Sequence, residues 1–409
     1  MAIELEINDS AAPAVRYVGW APSPCSIRLT PAGGAAAPLA VVLRNKPGGA
    51  GGQVVFYATP TASPKTTLSL SLPADGAPVS FLVAGKFGKP SAADGDATIQ
   101  VVAGTTVQTE VPLMVRVRKN ANQLTTAERD RFIAAFATFN DQGAGAFTDF
   151  RNMHTNAGSP EAHGAPGFLP WHRTYLLDLE RELQAIDPSV SLHYWRFDQP
   201  ASSLFTRDFL GVSDALGTVQ FSPTNPLQFW TTDGVPGINR RPLFNTATGR
   251  PDVITETQTI ALGNAYVLFQ EMENNPHGFA HTSFGGWLSS IGTAARDPLF
   301  FMLHANVDRL WAKWQKRFGR FDSTLAEAFA ANLASGGNRI GHNLQDTMWP
   351  WNGVVGSPRP PTAPGGGLAA SPCASAPGPQ PHVQDCFDFQ GVVAAASRLG
   401  FDYDDVSFG

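Results

Sequence analysis

The feature that most restricts the fold is a change of hydrophobic period part-way along the chain. Up to about Arg118, short β-rich runs such as IELEI, SIRLT and AVVLRN alternate with Gly, Pro and Asp-Gly turns. That rhythm predicts an antiparallel β-sandwich over residues 1–118. The stretch LTTAERDRFIAAFATF then shows helical periodicity, and Thr125 and Glu128 have the spacing of a capping box. A mainly helical domain is therefore expected over residues 119–356.

The C-terminal part of the chain divides into a linker and a tail. Residues 357–381 are rich in Pro, Gly and Ala and cannot bury a core, so an extended or disordered linker is expected there. Residues 382–409 regain aromatic side chains, among them Phe389, Phe401 and Tyr403, and are expected to dock on the body of the protein. This tail or the sandwich is a candidate lid over a functional site. The alternative is that both only stabilise the fold.

Composition and charge narrow the range of partners. The chain has 409 residues, of which 43% are hydrophobic and 15% charged, and its formal net charge is -5. No run of Lys or Arg can follow a phosphate backbone, so neither nucleic acid nor an anionic membrane is an expected partner. No apolar run has the length of a membrane span, and MAIELEINDS lacks the pattern of a secretory signal, which favours a cytoplasmic location. The three cysteines are too few for a disulfide framework or a thiolate site, so a metal would need nitrogen or oxygen ligands.

One group of histidines lies in two segments of the helical region. In NNPHGFAH, Asn275 is a candidate N-cap and Pro276 a candidate first helical residue, which would set His277 and His281 one turn apart on one helix face. That spacing can chelate one metal ion. The third member, His304, lies on a helix predicted to begin at Asp297 and Pro298 and to end at Gly319. One face of that helix carries Phe300, His304, Asp308 and Trp311.

A second group of three histidines lies earlier in the chain. His154 falls on one face of a short helix with two phenylalanines, His163 follows in a loop, and His172 lies near the start of a strongly amphipathic helix. Six of the nine histidines thus form two trios. The remaining three lack partners at ligand spacing and are expected to be structural: His193, His342 and His382.

The absence of carboxylate ligands from the two histidine trios helps to distinguish between several classes of metal site. Neutral imidazole suits copper, zinc, iron or nickel, and three nitrogens leave positions open for a small ligand. Zinc hydrolysis is disfavoured because Gly278 follows His277 where a zincin has its Glu general base. Binuclear hydrolases and di-iron bundles rely on carboxylate ligands, which neither trio supplies. A redox pair of copper ions with all-nitrogen coordination fits best.

These segments resemble the tyrosinase family of type 3 copper proteins, which includes tyrosinases, catechol oxidases and, more distantly, molluscan haemocyanins. HGAPGFLPWHRTYLLDLERELQ is similar to the first copper motif of the family, and NNPHGFAH with DPLFFMLHANVDRLWAKWQ is similar to the second. The segment SLHYWRFD resembles the strand and loop between them, and FDFQ with LGFDYDDVSF resembles tails of bacterial members. The resemblance covers roughly residues 120–356 and leaves the sandwich outside it.

The resemblance implies a fold and a cofactor. For the helical region that fold would be a mainly α four-helix-bundle type 3 copper domain. With the N-terminal antiparallel β-sandwich predicted from the strand pattern, the whole chain would be a multidomain α+β structure. Each trio would hold one copper ion of a binuclear site, and dioxygen would be the co-substrate. The ligands would be His154, His163 and His172 for one ion and His277, His281 and His304 for the other.

The resemblance also implies roles for four neighbours of the ligands. Phe300 matches a phenylalanine that covers the copper pair, and Glu273 matches an acid that holds a water near the substrate phenol, although an ordinary exposed charge is the alternative. Asp308 matches an aspartate that would fix His304 by a hydrogen bond, the alternative being an ion pair with Arg173 or Arg309. Gly278 stands where members with strong monophenol activity carry Asn, which favours catechols and aminophenols over tyrosine.

One further position departs from the plant and fungal members of the family. Glu161 lies two residues before His163, where those enzymes have a cysteine that crosslinks to the ligand. No thioether bridge is therefore expected.

The resemblance implies an oxidase of phenols and o-diphenols that produces o-quinones. A haemocyanin-like reversible dioxygen carrier is the alternative, and a silent binding protein with vestigial copper comes third. The expected partner is a small phenolic or catecholic substrate, and a homo-oligomer is compatible with the sequence.

Overall fold

The computed structural model describes residues 2–30, 37–154, 160–329, 340–357 and 359–409. The chain divides into two units, each with its own packing. The first unit comprises Met1–Val117, Ser371–Ser375 and Gly400–Gly409, and the second comprises Arg118–Ala370 and Ala376–Leu399.

The described part of the first unit contains two β-sheets. Their strands are β1 (Ala2–Ile7), β2 (Tyr17–Val18), β3 (Ser23–Thr30), β4 (Leu39–Asn45), β5 (Val54–Tyr57), β6 (Thr67–Leu72), β7 (Val79–Gly85), β8 (Ala97–Ala103) and β9 (Thr106–Val115). One sheet has the order β1-β3-β7-β5 and the other β2-β9-β8-β4-β6. All neighbouring strands are antiparallel except β2 and β9, which are parallel.

The two sheets bury their alternating apolar side chains in one core. In β3 every second residue is buried, which is the period expected of a strand with one face on a core. Residues of both sheets join the same apolar cluster, including Ile27 and Phe56 from one sheet and Leu43 and Ile99 from the other. Burial of these side chains is the main source of stability for the unit.

The C-terminal residues are fastened to the first unit by a buried tryptophan. The Asp402 carboxylate accepts a 2.7 Å hydrogen bond from the Trp20 amide, and the Trp20 indole N–H donates to the carbonyl of Tyr403 at 2.8 Å. A side chain on Gly19 would overlap that carboxylate, since a Cβ there would lie 2.1 Å from Asp402 Oδ2.

The second unit is built around its helices. They are α1 (Thr126–Asn140), α2 (Phe147–Asn152), α3 (Phe168–Ile186), α4 (Glu256–Ile260), α5 (Tyr266–Phe269), α6 (Phe279–Thr282), α7 (Ile291–Ala294) and α8 (Leu299–Phe318). Short strand pairs are β10 (Val212–Ser213) with β11 (Val219–Gln220), β12 (Thr231–Thr232) with β13 (Val235–Pro236), and β14 (Arg240–Pro242) with β15 (Phe284–Gly286). Within the described ranges, none of the helices combines the length and apolar character needed to cross a bilayer.

The ends of the long helices follow from local chemistry. The predicted capping box is confirmed, because Thr125 and Glu128 exchange their side-chain and backbone hydrogen bonds at the start of α1. Helix α8 ends at Gly319, which has a left-handed conformation with φ of 66°. At its other end, the Asp297 carboxylate accepts from the Leu299 amide at 2.9 Å and is itself held by the buried Arg240 guanidinium.

A buried chain of charges joins α3 to α8. Arg173 donates to Asp308 at 2.5 Å, Arg118 donates to the other oxygen of Asp308 at 3.1 Å, and Arg118 also pairs with Glu180 at 2.7 Å. All four side chains are buried, so the two positive and two negative charges compensate one another in a medium of low dielectric constant. The network fixes the two helices that carry His172 and His304.

The stretch around His277 is not the single helix that the sequence predicts. Residues 266–282 form a series of short helical turns, and Asn275 has extended backbone angles within it. Asn275 is not an N-cap either, since its side-chain oxygen accepts from the Ile254 amide at 3.0 Å. The proline at position 276 explains the break, because the residue before a proline is disfavoured in the α conformation.

Residues 359–381 make more contacts than a free linker requires. Arg181 is buried and donates to the carbonyls of Ala369 and Ala376 at 2.9 and 2.6 Å. The Ala369 amide in turn donates to the buried Asp178 carboxylate at 2.9 Å. Residues 359–381 contain no helix or longer strand, and hydrogen bonds from Arg181 and to Asp178, both in α3, hold the backbone of this segment in place.

Candidate metal centre

Three separate segments carry the first trio. His154 follows the end of α2 by two residues, His163 lies in the loop before α3, and His172 is the fifth residue of α3. The sequence prediction placed His154 on the short helix, whereas the helix ends at Asn152. The three side chains converge, and each offers one nitrogen to a group whose atoms all lie within 4.8 Å of one another.

The histidines of the second trio also come from separate elements and converge. His277 lies in the helical turn before α6, His281 lies within α6, and His304 is on α8. The Nε2 atom of His304 lies 3.3 Å from that of His277 and 3.1 Å from that of His281. The structure therefore brings together all six histidines singled out from the sequence, in the two predicted groups.

The two trios lie next to each other. The rings of His172 and His304 stack with their centroids 4.2 Å apart and an angle of 9° between their planes. These two residues belong to different trios and to the two long helices α3 and α8. The charge network described above therefore sets the separation between the trios.

Backbone carbonyls set the proton position on three of the rings. The Nδ1 atoms of His172, His277 and His281 face the carbonyl oxygens of Phe168, Glu273 and Leu288 at 2.9, 2.7 and 2.8 Å. A carbonyl only accepts, so in each ring Nδ1 carries the proton and Nε2 keeps its lone pair. Orientation of a ring by backbone carbonyls leaves no signal in the sequence, so these three contacts could not be predicted from it.

Burial keeps the rings neutral. Removal from water, followed by the neighbouring imidazoles, lowers the pKa of His154, His172, His277 and His304 well below the ordinary value. The same desolvation lowers the pKa of His163 and of His281 to about 4. At neutral pH the six rings therefore present lone pairs rather than charges.

The donor set fits a pair of copper ions. Two nitrogens bound to one ion at about 2.0–2.1 Å are separated by about 3.3–3.4 Å when the ligand angle is near tetrahedral. The Nε2 separations of 3.1–3.3 Å lie close to that distance. The Nε2 atom of His172 is buried without a hydrogen-bond partner in the described part of the chain. An unshared lone pair in such a place calls for a cation, and imidazole nitrogen suits copper.

Phe300 packs against rings of both trios. Its ring centroid lies 4.7 Å from that of His154 and 4.3 Å from that of His304, and the side chain is fully buried. A fully buried aromatic ring at this point shields the imidazoles from water.

Glu273 and Gly278 lie on either side of His277 in the chain. The Glu273 carboxylate accepts from the Gly164 amide at 2.7 Å, and desolvation raises the pKa of this carboxyl to about 7. Gly278 has ordinary helical angles, and a Cβ there would meet only the Glu273 carbonyl oxygen, at 3.5 Å. The position has room for a side chain.

Asp308 forms the ion pair and not the hydrogen bond to a ligand. It accepts from Arg173 and Arg118, as described above, while Arg309 pairs with Glu256 at 2.7 Å. The Nδ1 atom of His304 is buried and has no hydrogen-bond partner among the described residues. Of the two contacts that the sequence leaves open for Asp308, the structure shows the ion pair with Arg173, and the carboxylate also binds the buried Arg118 guanidinium.

The other three histidines lie outside the two trios. His193 accepts from the Lys119 amide at 3.2 Å, and His382 lies 3.5 Å from Asp385. His342 is buried and bonds to the loop that carries His163. Glu161, a buried residue of the same loop, pairs with Arg359 at 2.6 Å. No local pattern in the sequence marks these last contacts, since they join residues far apart in the chain.

Comparison with known proteins agrees with this geometry. The family model described as the common central domain of tyrosinase matches residues 144–317. A tyrosinase of Streptomyces glaucescens is 33% identical over 272 residues, covering 58% of this chain and 92% of that protein. An octopus haemocyanin, from Enteroctopus dofleini, is 27% identical over 225 residues, which cover 49% of this chain and 18% of that protein.

Among solved structures, deoxygenated haemocyanin from Rapana thomasiana is similar with a TM-score of 0.47 and 21% identity, covering 71% of this chain and 70% of that one. The match to the Streptomyces tyrosinase extends over nearly the whole of that enzyme. Residues 144–317, which the family model matches, contain both trios. The chain belongs to the tyrosinase family of binuclear copper oxidoreductases.

Proposed function

We propose that this copper-dependent enzyme uses dioxygen to oxidise phenolic compounds, with o-diphenols and o-aminophenols as its preferred substrates. The observation that carries the proposal is the adjacency of two neutral imidazole trios, whose nearest rings stack at 4.2 Å. Oxidation of two o-diphenols to two o-quinones releases four electrons and four protons, which reduce one dioxygen to two waters. When bound, a copper pair supplies one-electron centres for that exchange.

The residues around the trios have three tasks in this proposal. The six histidines hold the metal pair, and Phe300 keeps water away from it. Glu273 holds a water near the substrate hydroxyl, and the proton of that hydroxyl passes through the water to a carboxylate oxygen. Desolvation raises the pKa of Glu273 to about 7, which suits a base that works near neutral pH. The Gly164 amide holds that carboxylate in place at 2.7 Å.

Gly278 supports the preference for o-diphenols. In the family, an Asn at this position accompanies strong monophenol activity. A glycine has no side-chain amide with which to help orient a water beside Glu273. Simple phenols must lose their hydroxyl proton before an oxygen atom can be added, so they depend more on an oriented water beside Glu273 than o-diphenols do. Tyrosine is therefore expected to be oxidised more slowly than catechol.

The finer architecture is also our interpretation. Two sheets with a shared core support a β-sandwich for residues 1–118. Helices α1, α3 and α8, with the short turns of residues 266–282 in the place of a fourth helix, support a four-helix-bundle arrangement in the catalytic domain. The domain boundaries proposed are 1–118 and 119–356, with the segment after residue 356 shared between the two units.

A reversible dioxygen carrier is the second candidate. The similarity to octopus haemocyanin favours it, but that match covers 18% of the haemocyanin chain against 92% of the Streptomyces tyrosinase. A carrier would bind dioxygen reversibly, with a change in absorbance and no turnover.

The test is copper content measured together with oxygen uptake. Copper-loaded enzyme is expected to hold two ions per chain and to consume oxygen with catechol and 2-aminophenol faster than with tyrosine. The His304→Ala variant is expected to lose the activity and to retain about one copper. A matched control is His193→Ala, which removes a buried histidine outside both trios. Reversible oxygen-dependent absorbance without uptake on any of the three substrates would instead establish the carrier.

A further inference from the structure

One imidazole outside the two trios spans both ends of the loop that carries His163. The Gly167 amide donates to Nδ1 of His342 at 3.1 Å, and Nε2 of His342 lies 3.1 Å from the carbonyl oxygen of Pro160. His163 lies between these two attachment points, three residues after one and four before the other. The ring of His342 is buried.

The two hydrogen bonds determine the state of the ring. An amide only donates, so Nδ1 of His342 must accept, and a carbonyl only accepts, so Nε2 must carry the proton. The neutral Nε2–H form is the one that satisfies both bonds. Desolvation lowers the pKa of His342, which favours that neutral form.

The close approach of the two segments requires glycine. A Cβ at Gly167 would lie 2.5 Å from Nδ1 of His342 and 2.6 Å from the carbonyl oxygen of Gly341. Gly341 has φ of 82°, and a Cβ there would lie 2.3 Å from the Glu161 carboxylate. No ordinary side chain fits at either position without displacing these partners.

Further contacts fix the same loop. The Glu161 carboxylate pairs with Arg359 at 2.6 Å and accepts from the Trp349 amide at 3.0 Å. The Tyr266 hydroxyl donates to the carbonyl of Pro166 at 2.5 Å. His342 differs from these in that it binds both ends of the loop, so its loss would free the loop at two points.

We propose that His342 is a positioning residue for the first copper site, which holds the loop of residues 160–167 so that His163 meets His154 and His172. This inference rests on the proposed function, because it takes those three rings as copper ligands. The Gly164 amide of the same loop donates to the Glu273 carboxylate at 2.7 Å, so His342 also helps to position the proposed base through the loop. It touches neither metal nor substrate.

The proposal predicts a defect confined to one of the two sites. A less well held ligand weakens binding of its metal, and loss of a supporting contact around a metal site typically costs about 10- to 100-fold in affinity. We expect His342→Phe, which fills the space but removes both nitrogens, to lower copper affinity of the first site by about tenfold or more. Binding at the second trio should not change.

Two backgrounds separate the sites, with copper alone as the probe. In His281→Ala the second site is disabled, so full-length protein dialysed against a chelator should hold one copper, and adding His342→Phe should reduce this toward none. In His172→Ala the first site is disabled, and adding His342→Phe should leave the remaining copper in place. His193→Phe is the matched control and should leave copper unchanged in both backgrounds.

Two milder variants complete the test. His342→Gln keeps one acceptor and one donor and should recover part of the copper lost in His342→Phe, which a role in packing alone would not explain. Gly167→Ala leaves His342 itself intact but displaces its Nδ1 partner, and it should reproduce the loss at the first site if His342→Phe does not fold.

The outcomes are distinct from those of the proposed function. Wild-type protein that binds no copper would overturn the proposed function and this inference together. Wild-type protein with two coppers, and a copper content equal in His342→Phe, Gly167→Ala and the His193→Phe control, would overturn this inference alone.

Discussion

The dependence of copper affinity on pH tests the burial of the six rings. Copper must compete with protons for imidazole, so a site of ordinary histidines loses affinity as the pH falls. A ring with a pKa of 6.5 becomes about 25-fold scarcer in its neutral form between pH 7 and pH 5. Three such rings for each ion would lower copper affinity by about 10⁴-fold over that interval.

The structure predicts that copper affinity depends on pH much less steeply than it would for ordinary histidines. Desolvation lowers the pKa of His163 and of His281 to about 4, and it lowers the pKa of the other four rings well below the ordinary value. A ring with a pKa of 4 is still about nine-tenths neutral at pH 5, so protonation of His163 or of His281 changes the affinity of its trio by only about 1.1-fold. Proton competition at these two rings should begin only near pH 4.

The assay is copper binding to the apoprotein at pH 7, 6 and 5, in competition with a chelator whose own pH dependence is known. The account predicts affinities that agree within a few-fold across the range. A fall of a thousandfold or more between pH 7 and pH 5 would refute the reasoning, since it would mean that the rings titrate as exposed histidines do. A short peptide with two histidines serves as the exposed reference.

Three further results are expected. The apoprotein should lose stability to urea between pH 7 and pH 5, by about 2 kcal/mol for each buried ring, because the histidines of the unfolded chain take up protons below about pH 6.5 while the buried rings do not. Glu273 and Asp178 oppose this loss in part, since burial raises the pKa values of their carboxyls to about 7 and about 6 and the folded state takes up their protons first. A rise in the free energy of unfolding from pH 7 to pH 5 would contradict the prediction that the histidines dominate. Gly278→Asn should raise the rate on tyrosine relative to catechol by roughly tenfold, because the site has room for the amide beside a base, whereas Gly278→Ala should leave that ratio unchanged. Asp297→Asn should destabilise the fold by about 3–5 kcal/mol in urea unfolding, because it leaves the Arg240 guanidinium buried without a compensating charge, and a loss below 1 kcal/mol would show that water reaches the pair.

Residue type and spacing were enough to predict the trios. Imidazoles at positions 277 and 281 are one helical turn apart by local geometry, and the strong apolar pattern of α3 and α8 directs His172 and His304 to the interior. The ends of α1 and α8 were predictable for the same reason, because a capping box and a C-terminal glycine act on their own neighbours.

Contacts between distant segments were not predictable in this way. The partners of Asp308 include Arg118, which lies 190 residues away in the chain, and no local pattern marks that pair. His342 reaches a loop that lies 175 residues before it. Such contacts depend on how helices and loops pack, and a single sequence records only the residue types that permit them.

Pro276 is the local signal for the break in the helix around Asn275, but it supports two opposite predictions. Proline suits the first position of a helix, and it also disfavours the α conformation in the residue before it. The structure follows the second effect, because the Asn275 side chain bonds to Ile254 instead of capping a helix.

The central claim is that six imidazoles hold two metal ions close enough to act together. The most direct test is the electron paramagnetic resonance spectrum of the full chain loaded with two equivalents of Cu(II). Because His172 and His304 stack at 4.2 Å across the two trios, the ions should couple and the loaded wild type should give almost no signal, whereas His304→Ala should show the signal of a single isolated copper. A wild-type spectrum with the full intensity of two independent Cu(II) ions would contradict the account.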